Sequence, residues 1–253
     1  MSAIDRAAIL SALALPADAR VDQRVPKKML VENGAPTAAD KRLINNGIEE
    51  FHWHAALKPA TIGVPACRDE TREYLEIAVL SLILRAETKA ARLAELVHRA
   101  VPYPVFLILV LPDGLTLSLA HLRWSLGQSA QMVLDGSPIT VAPDPENPAT
   151  PAFLASLNAA AQPRADLWAF YQGWIGCFEA HAAAEITGAF SLCETPARYQ
   201  SRRESLAEYD RLTREIAGLR ASAAKETQVS RRVELNLRLK ELESLLAQAA
   251  DRL

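Results

Sequence analysis

The sequence predicts an α+β protein, in which a mixed β-sheet domain with flanking helices is followed by a helical region with a coiled-coil-like hairpin. Three observations favour this fold class. In the first half of the chain, apolar runs of strand length alternate with amphipathic helical segments. The segment APDPENPATP, from Ala142 to Pro151, has the proline content of a linker. From Ala197 to Leu253 there is no proline, and leucines recur every three or four residues.

These observations divide the chain into two predicted parts, a sheet domain over residues 1–145 and a helical region over residues 146–253 with a tail at 197–253. Half of the residues (50%) are apolar, 23% are charged and the formal net charge is −2. This balance excludes a disordered chain and a global basic field that would attract nucleic acid.

The number of cysteines and the lengths of the apolar runs predict the cellular location of the protein. The three cysteines are an odd number, at spacings that fit neither a zinc site nor a disulfide framework. We therefore expect reduced thiols and a cytoplasmic location. No apolar run approaches the roughly 18 residues that a membrane span requires, so no membrane association is expected.

Two helices and one buried strand are predicted before residue 85. Apolar residues over 4–13 predict a short first helix. Thr37 has the side chain of an N-cap, and apolar residues at helical spacing extend a second predicted helix to about Trp53. Tyr74–Leu84 is almost entirely apolar, which predicts a central strand that is covered on both faces.

The next segment predicts one helix and three strands. Helical spacing covers Glu87–Val101, and the apolar run Val105–Val110 predicts a strand. Pro112-Asp113-Gly114 has the composition of a tight turn, so a partner strand is expected at Leu115–Leu122. A further strand at Ala130–Leu134 is expected to join the same sheet.

The helical region contains an aromatic stripe and a leucine seam. The stripe over Trp168–Phe178 predicts a helix that packs on the sheet domain. The seam is out of phase between its two halves, so we favour a hairpin that folds back near Ala221–Ser230 over a single rod. Because such a seam packs against other helices, four leucines are candidate partner-binding residues, and a homodimer through the tail is an alternative. The four are Leu235, Leu239, Leu242 and Leu246.

No motif predicts a reaction. The patterns GxxxxGK[ST], GxGxxG and GxSxG are absent, so we assign no catalytic residue, no metal and no cofactor. On the predicted second helix, His52 and His54 would point to different faces, which argues against a metal pair. Glu73 and Glu76 invite comparison with a restriction-type nuclease, but no lysine follows Glu76 in the required E-x-K pattern.

Five basic residues are candidates for binding nucleic acid. Lys27, Lys28 and Lys58 belong to two short basic segments, which could cradle phosphates or simply lie on the surface. Arg231 and Arg232 belong to a basic series that is interleaved with glutamates. Such a series is also typical of a salt-bridged helix surface, so both interpretations stay open.

Four segments occur together in the order and spacing of a known family: Val25–Lys28, Trp53–Ile62, Val101–Pro104 and Arg231–Asn236. Over nearly the whole chain they resemble the bacterial and archaeal family called domain of unknown function four-three-nine-one. No activity is assigned to that family, so the resemblance implies no catalytic residue. It implies a context instead, because such proteins are commonly encoded beside helicases and DNA methyltransferases in restriction-like or antiphage islands.

We therefore expect a non-catalytic accessory subunit of a restriction-like or antiphage defence complex, which docks on a helicase or methyltransferase through the four leucines. One alternative is a nucleic-acid-binding module that uses the five basic residues. The other is an unrecognised metal-dependent nuclease around Glu73 and Glu76.

Overall fold

A computed structural model describes residues 4–86, 88–125 and 131–253. Two predicted element ends, at Glu87 and Ala130, lie outside these residues. The chain forms two compact units, the first ending at Phe178 and the second comprising Glu179–Leu253. The predicted domain boundary at residue 145 stays a prediction.

The structure confirms the α+β class. The helices are α1 Arg6–Leu13, α2 Lys28–Gly34, α3 Ala38–Gly47, α4 Pro59–Ile62, α5 Ala90–Ala100, α6 Thr150–Ser156, α7 Leu167–Thr187, α8 Pro196–Lys225 and α9 Val229–Ala250, with short 3₁₀ turns at Ala17–Ala19 and Ala159–Ala161. The strands are β1 Arg20–Arg24, β2 Ile48–Leu57, β3 Cys67–Arg68, β4 Glu73–Tyr74, β5 Ile77–Leu84, β6 Val105–Leu111, β7 Gly114–Leu119, β8 Leu122–Trp124, β9 Met132–Leu134 and β10 Ile139–Val141.

Within the described residues, six strands form one mixed sheet in the order β1-β2-β5-β6-β7-β10. β5 and β6 are parallel and are joined through α5, whereas the other neighbouring strands are antiparallel. The predicted central strand at Tyr74–Leu84 is confirmed for Ile77–Leu84, because β5 lies inside the sheet and nearly all of its side chains are buried, whereas Tyr74 belongs to β4. The predicted turn is also confirmed, since Leu111 pairs with Gly114 where β6 meets β7.

The predicted second helix is correct at its start and wrong at its end. Thr37 Oγ1 accepts a hydrogen bond from Asp40 N and so caps α3. The helix ends at Gly47, and the next ten residues form β2 instead of continuing to Trp53 as helix. β2 pairs with β1 on one side and β5 on the other, so backbone hydrogen bonding on both edges outweighs the helical spacing of its apolar residues.

Of the expected strand at 130–134, Met132–Leu134 forms a strand, and it lies in a different sheet, whereas Ala130 is outside the described residues. Met132–Leu134 pairs with Leu122–Trp124 in a separate two-stranded ribbon. One edge strand of the main sheet is β10, which pairs with β7 and was not predicted. At three residues, β10 is too short to show a periodic pattern.

The aromatic stripe of α7 packs in the core of the first unit, as predicted. Tyr171 Oη donates to Val105 O at 2.8 Å and accepts from Ala120 N at 2.9 Å, so the helix is fixed to β6 and to the end of β7. The ring of Phe106 on β6 lies 5.0 Å from Trp174 and 5.9 Å from Phe178, centroid to centroid. Nowhere in the described residues is a helix both long and apolar enough to cross a membrane.

The second unit contains a helical hairpin, because the chain reverses between Lys225 and Val229. This confirms the predicted fold-back within residues 221–230. The inner faces of α8 and α9 bury a common apolar cluster, and partly buried side chains extend it. The cluster comprises Leu212, Ile216, Leu239, Leu242 and Ala249, flanked by Tyr209, Leu219, Ala223 and Leu246.

Candidate functional site

The predicted partner-binding leucines lie mainly inside the hairpin. Leu239 and Leu242 are buried, and they pack in one cluster with Leu212 and Ile216 of α8. Leu235 and Leu246 are half-buried. The seam that is visible in the sequence is therefore covered largely by the same chain, and a partner could reach only its edges.

A different side of α9 carries exposed apolar side chains, which sequence reasoning did not single out. Val229, Val233 and Leu237 are 65%, 52% and 59% exposed, and we call these three residues the α9 outer face. Because they are four residues apart, each side chain is rotated about 40° around the helix from the one before it. Leu237 and the buried Leu239 are about 200° apart around the helix, so the outer face lies opposite the inner one.

Two ion pairs with exposed side chains connect the helices of the hairpin. Arg220 donates to Glu243 at 2.6 Å, and Arg238 lies 3.6 Å from Glu215. Both pairs join α8 to α9, and all four side chains are at least one-third exposed. Exposed pairs of this kind contribute little to stability, so the buried leucines carry most of the hairpin's stability.

All three candidate nucleic-acid-binding lysines contact other groups of the protein, Lys58 through its ion pair with Glu76. Lys27 Nζ donates to Asn45 O and Ile48 O at 3.1 and 2.8 Å, which satisfies carbonyl groups at the end of α3. Lys28 lies 3.4 Å from Glu32 on a highly exposed surface. These lysines belong to the first compact unit.

The candidate arginines Arg231 and Arg232 are exposed near the start of α9. They belong to the second compact unit, whereas the three lysines belong to the first. The structure therefore gives no single basic surface that combines the five residues within one unit.

The two acidic candidates are each paired with a basic residue. Glu76 precedes β5 and Lys58 follows β2, and because Leu57 pairs with Ile77 the two side chains meet at 2.9 Å. Glu73 pairs with Arg68 at 3.0 Å in the β3–β4 ribbon. Glu76 is buried, and its Oε1 has no hydrogen-bond partner among the described residues.

A polar cluster around His54 was missed at the level of sequence. Because alternate residues of a strand point to one face, His52 and His54 on β2 stack with their ring centroids 5.1 Å apart. The expectation that they point apart is wrong, since it assumed a helix where β2 forms. His54 Nε2 lies 2.8 Å from Ser81 Oγ on β5, and its Nδ1 lies 3.8 Å from Asp22 Oδ1 on β1.

This trio does not have the geometry of an activated nucleophile. Ser81 is buried, and the cavity of about 420 Å³ beside the cluster is lined by His54 and Asp22 but not by Ser81. The 3.8 Å separation between His54 and Asp22 is longer than a hydrogen bond. Arg6 Nη1 donates to Ser81 Oγ at 3.4 Å, so Ser81 orients polar neighbours and does not face a ligand.

His54 is neutral at physiological pH. Burial lowers its pKa to about 4, and the nearby positive charges of His52 and Arg6 act in the same direction, against the opposing effect of Asp22. A neutral imidazole can exchange hydrogen bonds with a ligand in the cavity, but it offers no charge to an anion. No set of three or more His, Cys, Asp or Glu side chains in residues 4–86, 88–125 and 131–253 is placed to hold a metal ion.

The family model described as a domain of unknown function, DUF4391, matches residues 13–246. Because this match covers nearly the whole chain, the protein belongs to that family. No curated protein and no solved structure matches the chain.

Proposed function

We propose that this protein is a non-catalytic accessory subunit of a restriction-like or antiphage defence complex, and that it docks on a helicase or DNA methyltransferase subunit through its C-terminal hairpin. The observation that carries the proposal is the α9 outer face. Three large apolar side chains with exposures above one-half stand in a row on a helix whose opposite side is already packed.

The hairpin has the features of a rigid docking element. Its two helices of 30 and 22 residues are held together by their own buried cluster, so the outer face is presented without a change in fold. A helix that offers side chains at spacings of four is suited to lie against another helix or in an apolar groove. Apolar anchors flanked by charges are the usual composition of such interfaces.

We therefore place the proposed docking site on the α9 outer face and not on the four leucines that the sequence suggested. Leu239 and Leu242 act indirectly, because they keep α9 against α8. Leu235 and Leu246 are half-buried and can border the contact. The defence context rests on the family resemblance and is part of the proposal.

The test is purification of the N-terminally tagged protein from its own host, with and without nuclease treatment, followed by identification of what copurifies. We expect a helicase or methyltransferase to be retained after nuclease treatment. The double variant Val233→Glu/Leu237→Glu should lose that partner while its helical circular dichroism stays that of the wild type.

A matched control places the same two charges, four residues apart, on exposed positions of α8. Thr213 and Ala217 are exposed, so Thr213→Glu/Ala217→Glu should retain the partner. Retention by the Val233→Glu/Leu237→Glu variant would contradict the proposed surface. Loss of every partner after nuclease treatment would contradict protein docking and favour direct binding of nucleic acid.

A further inference from the structure

The second compact unit contains a small cavity lined by three arginines. Arg198, Arg202 and Arg252 surround a volume of about 240 Å³ together with Cys193, Ser201 and Leu253. Arg198 and Arg202 lie one helical turn apart near the start of α8, and Arg252 follows the end of α9. The return of α9 along α8 thus brings separate parts of the chain to one site.

The guanidinium group of Arg202 is fixed within the protein. Its Nη1 donates to Ser191 O at 2.7 Å and its Nη2 to Ser191 Oγ at 3.1 Å, with a longer contact of 3.4 Å to Leu253 O. The residue is only 3% exposed, and its Nε has no hydrogen-bond partner among the described residues. A positive charge that is held in this way is preorganised, because little side-chain freedom remains to be lost when an anion binds.

The positive charge around the cavity is only partly offset by side-chain carboxylates, since Glu179 interacts electrostatically with Arg202, and Glu208 with Arg252. Among the described ion pairs, none joins Arg198, Arg202 or Arg252 to an aspartate or glutamate. Glu179 belongs to the same unit, but its carboxylate bonds to Arg203 at 2.8 Å. Because no carboxylate is in direct contact with the buried guanidinium of Arg202, a bound anion would stabilise this arrangement.

The start of α8 adds to the positive field. The helix is 30 residues long and begins at Pro196, next to the cavity residues Cys193 and Arg198. Pro196 has no N–H and the amide of Arg198 donates to Thr195 Oγ1, so the helix contributes through the positive end of its dipole and not through free amide groups. The field of the helix therefore has the same sign as that of the three arginines.

The size of the cavity limits the ligand. Its volume is about 240 Å³. Pockets for drug-sized ligands start at about 300 Å³, so the cavity fits a small oxyanion and not a whole nucleotide. Arginine forks match tetrahedral phosphate oxygens through paired hydrogen bonds, which favours phosphate over a monovalent halide.

We propose that the cavity of Arg198, Arg202 and Arg252 binds a phosphate group, either as the free anion or as the end of a small phosphate monoester. The three guanidinium groups supply the charge, and Ser201 is the hydroxyl at the same wall. The site lies apart from the α9 outer face in sequence and chemistry, so it adds a small-ligand function to the proposed docking role.

Isothermal titration calorimetry of the full chain with inorganic phosphate tests this proposal at constant ionic strength. We expect saturable binding with one site per chain. The single variants Arg198→Gln and Arg252→Gln should weaken binding at least tenfold. Arg202→Lys, which keeps the charge but not the fork, should weaken it with the fold retained, as judged by circular dichroism.

Arg231→Gln and Arg232→Gln are the matched controls, since each removes the same charge from an exposed position of the same unit. Their affinities should stay within twofold of the wild type. A parallel titration with glycerol 3-phosphate distinguishes the two sources of phosphate, because tighter binding of this small monoester assigns the esterified form. No binding of either compound, equal losses in the control variants, or binding only to a DNA duplex would overturn the proposal.

Discussion

Arg92 on α5 donates Nε and Nη2 to the two carboxylate oxygens of Asp40 on α3, at 2.9 and 3.0 Å. The same carboxylate accepts the hydroxyl of Thr37 at 2.7 Å, so the helix cap and the ion pair share one group. The Arg92 guanidinium, followed by Thr37, lowers the pKa of Asp40 to about 2. This pair connects two helices that are far apart in sequence and pack near the same face of the sheet.

We expect Arg92→Lys to lower the melting temperature of the first unit, because an ammonium group cannot make both bonds to Asp40. Arg99→Lys is the control, since among the described residues the ion pair of Arg99 is with Glu95 on its own helix. All four tryptophans precede Phe178, so tryptophan fluorescence follows this unit alone. An equal effect of the two substitutions would contradict a special role for the forked pair.

The Arg92–Asp40 pair also makes stability depend on pH, in a direction that follows from the lowered pKa of Asp40. The folded pKa of Asp40 lies below its ordinary value, so its contribution to stability is complete above about pH 4 and is lost as the pH falls towards 2. Asp40→Asn should therefore remove part of the wild type's loss of stability in this window. Thermal unfolding followed by fluorescence between pH 2 and pH 5 measures the difference.

The stability of the first unit should also depend on pH through His98, in a higher pH range than through Asp40. Burial lowers its pKa to about 3, and its Nε2 lies 2.9 Å from Ser118 Oγ inside the first unit. The unfolded chain binds a proton near pH 6.5 whereas the folded one does not, so stability falls as the pH is lowered from 6.5. The loss is about 1.4 kcal/mol per pH unit, or roughly 2 kcal/mol at pH 5.

Substitution of His98 separates its contribution to the pH dependence of stability from that of His54, whose pKa is also lowered. His98→Gln keeps a hydrogen-bonding side chain but does not titrate. Urea unfolding followed by tryptophan fluorescence at pH 7 and pH 5 should show a smaller difference between the two pH values in His98→Gln than in the wild type. The same difference in both proteins would contradict the assignment of this proton to His98.

The sequence predicts an element of the fold correctly where the local pattern of residues is compatible with only one kind of structure. The apolar run of β5 is too short for a membrane and too uniform for a surface element, so it predicts a buried strand. The residues Pro112-Asp113-Gly114 predict the β6–β7 turn for the same reason. β2 was missed because its apolar residues satisfy helical spacing, and only its pairing with β1 and β5 decides the outcome.

The candidate site was harder to predict than the fold. The leucine repeat correctly indicates helix packing, but a repeat does not reveal whether its partner is the same chain. Leu239 is buried by α8, whereas Leu237, two residues earlier, is exposed. The arginine cavity could not be predicted from the sequence either, because Arg198 and Arg252 line one cavity only when the hairpin has folded.

Two glycines predict opposite effects of the same substitution. A Cβ atom on Gly34 would lie 2.6 Å from Ala100 Cβ and 2.7 Å from Leu96 O, so α2 and α5 would have to separate. We expect Gly34→Ala to destabilise the first unit by about 1–3 kcal/mol. A Cβ on Gly218 meets nothing within 4 Å, so Gly218→Ala in α8 should stabilise the hairpin by up to about 1 kcal/mol.

These two effects are measured by urea unfolding with different probes. Tryptophan fluorescence reports the first unit, and circular dichroism at the helical minimum reports the hairpin together with the other helices. A neutral Gly34→Ala would show that α2 is not held against α5 at this contact. A destabilising Gly218→Ala would show that the outer side of α8 is covered.

The two sides of α9 should respond differently to loss of a leucine side chain. Leu242 is 1% exposed and packs against α8, so Leu242→Ala should destabilise the hairpin by about 2–5 kcal/mol through lost burial and a residual cavity. Leu237 is exposed, so Leu237→Ala should change stability by less than about 0.5 kcal/mol and yet weaken docking. Unfolding followed by circular dichroism, combined with copurification, compares the two variants. If Leu237→Ala destabilised as much as Leu242→Ala, the α9 outer face would be part of the protein's own core, and the docking proposal would lose its basis.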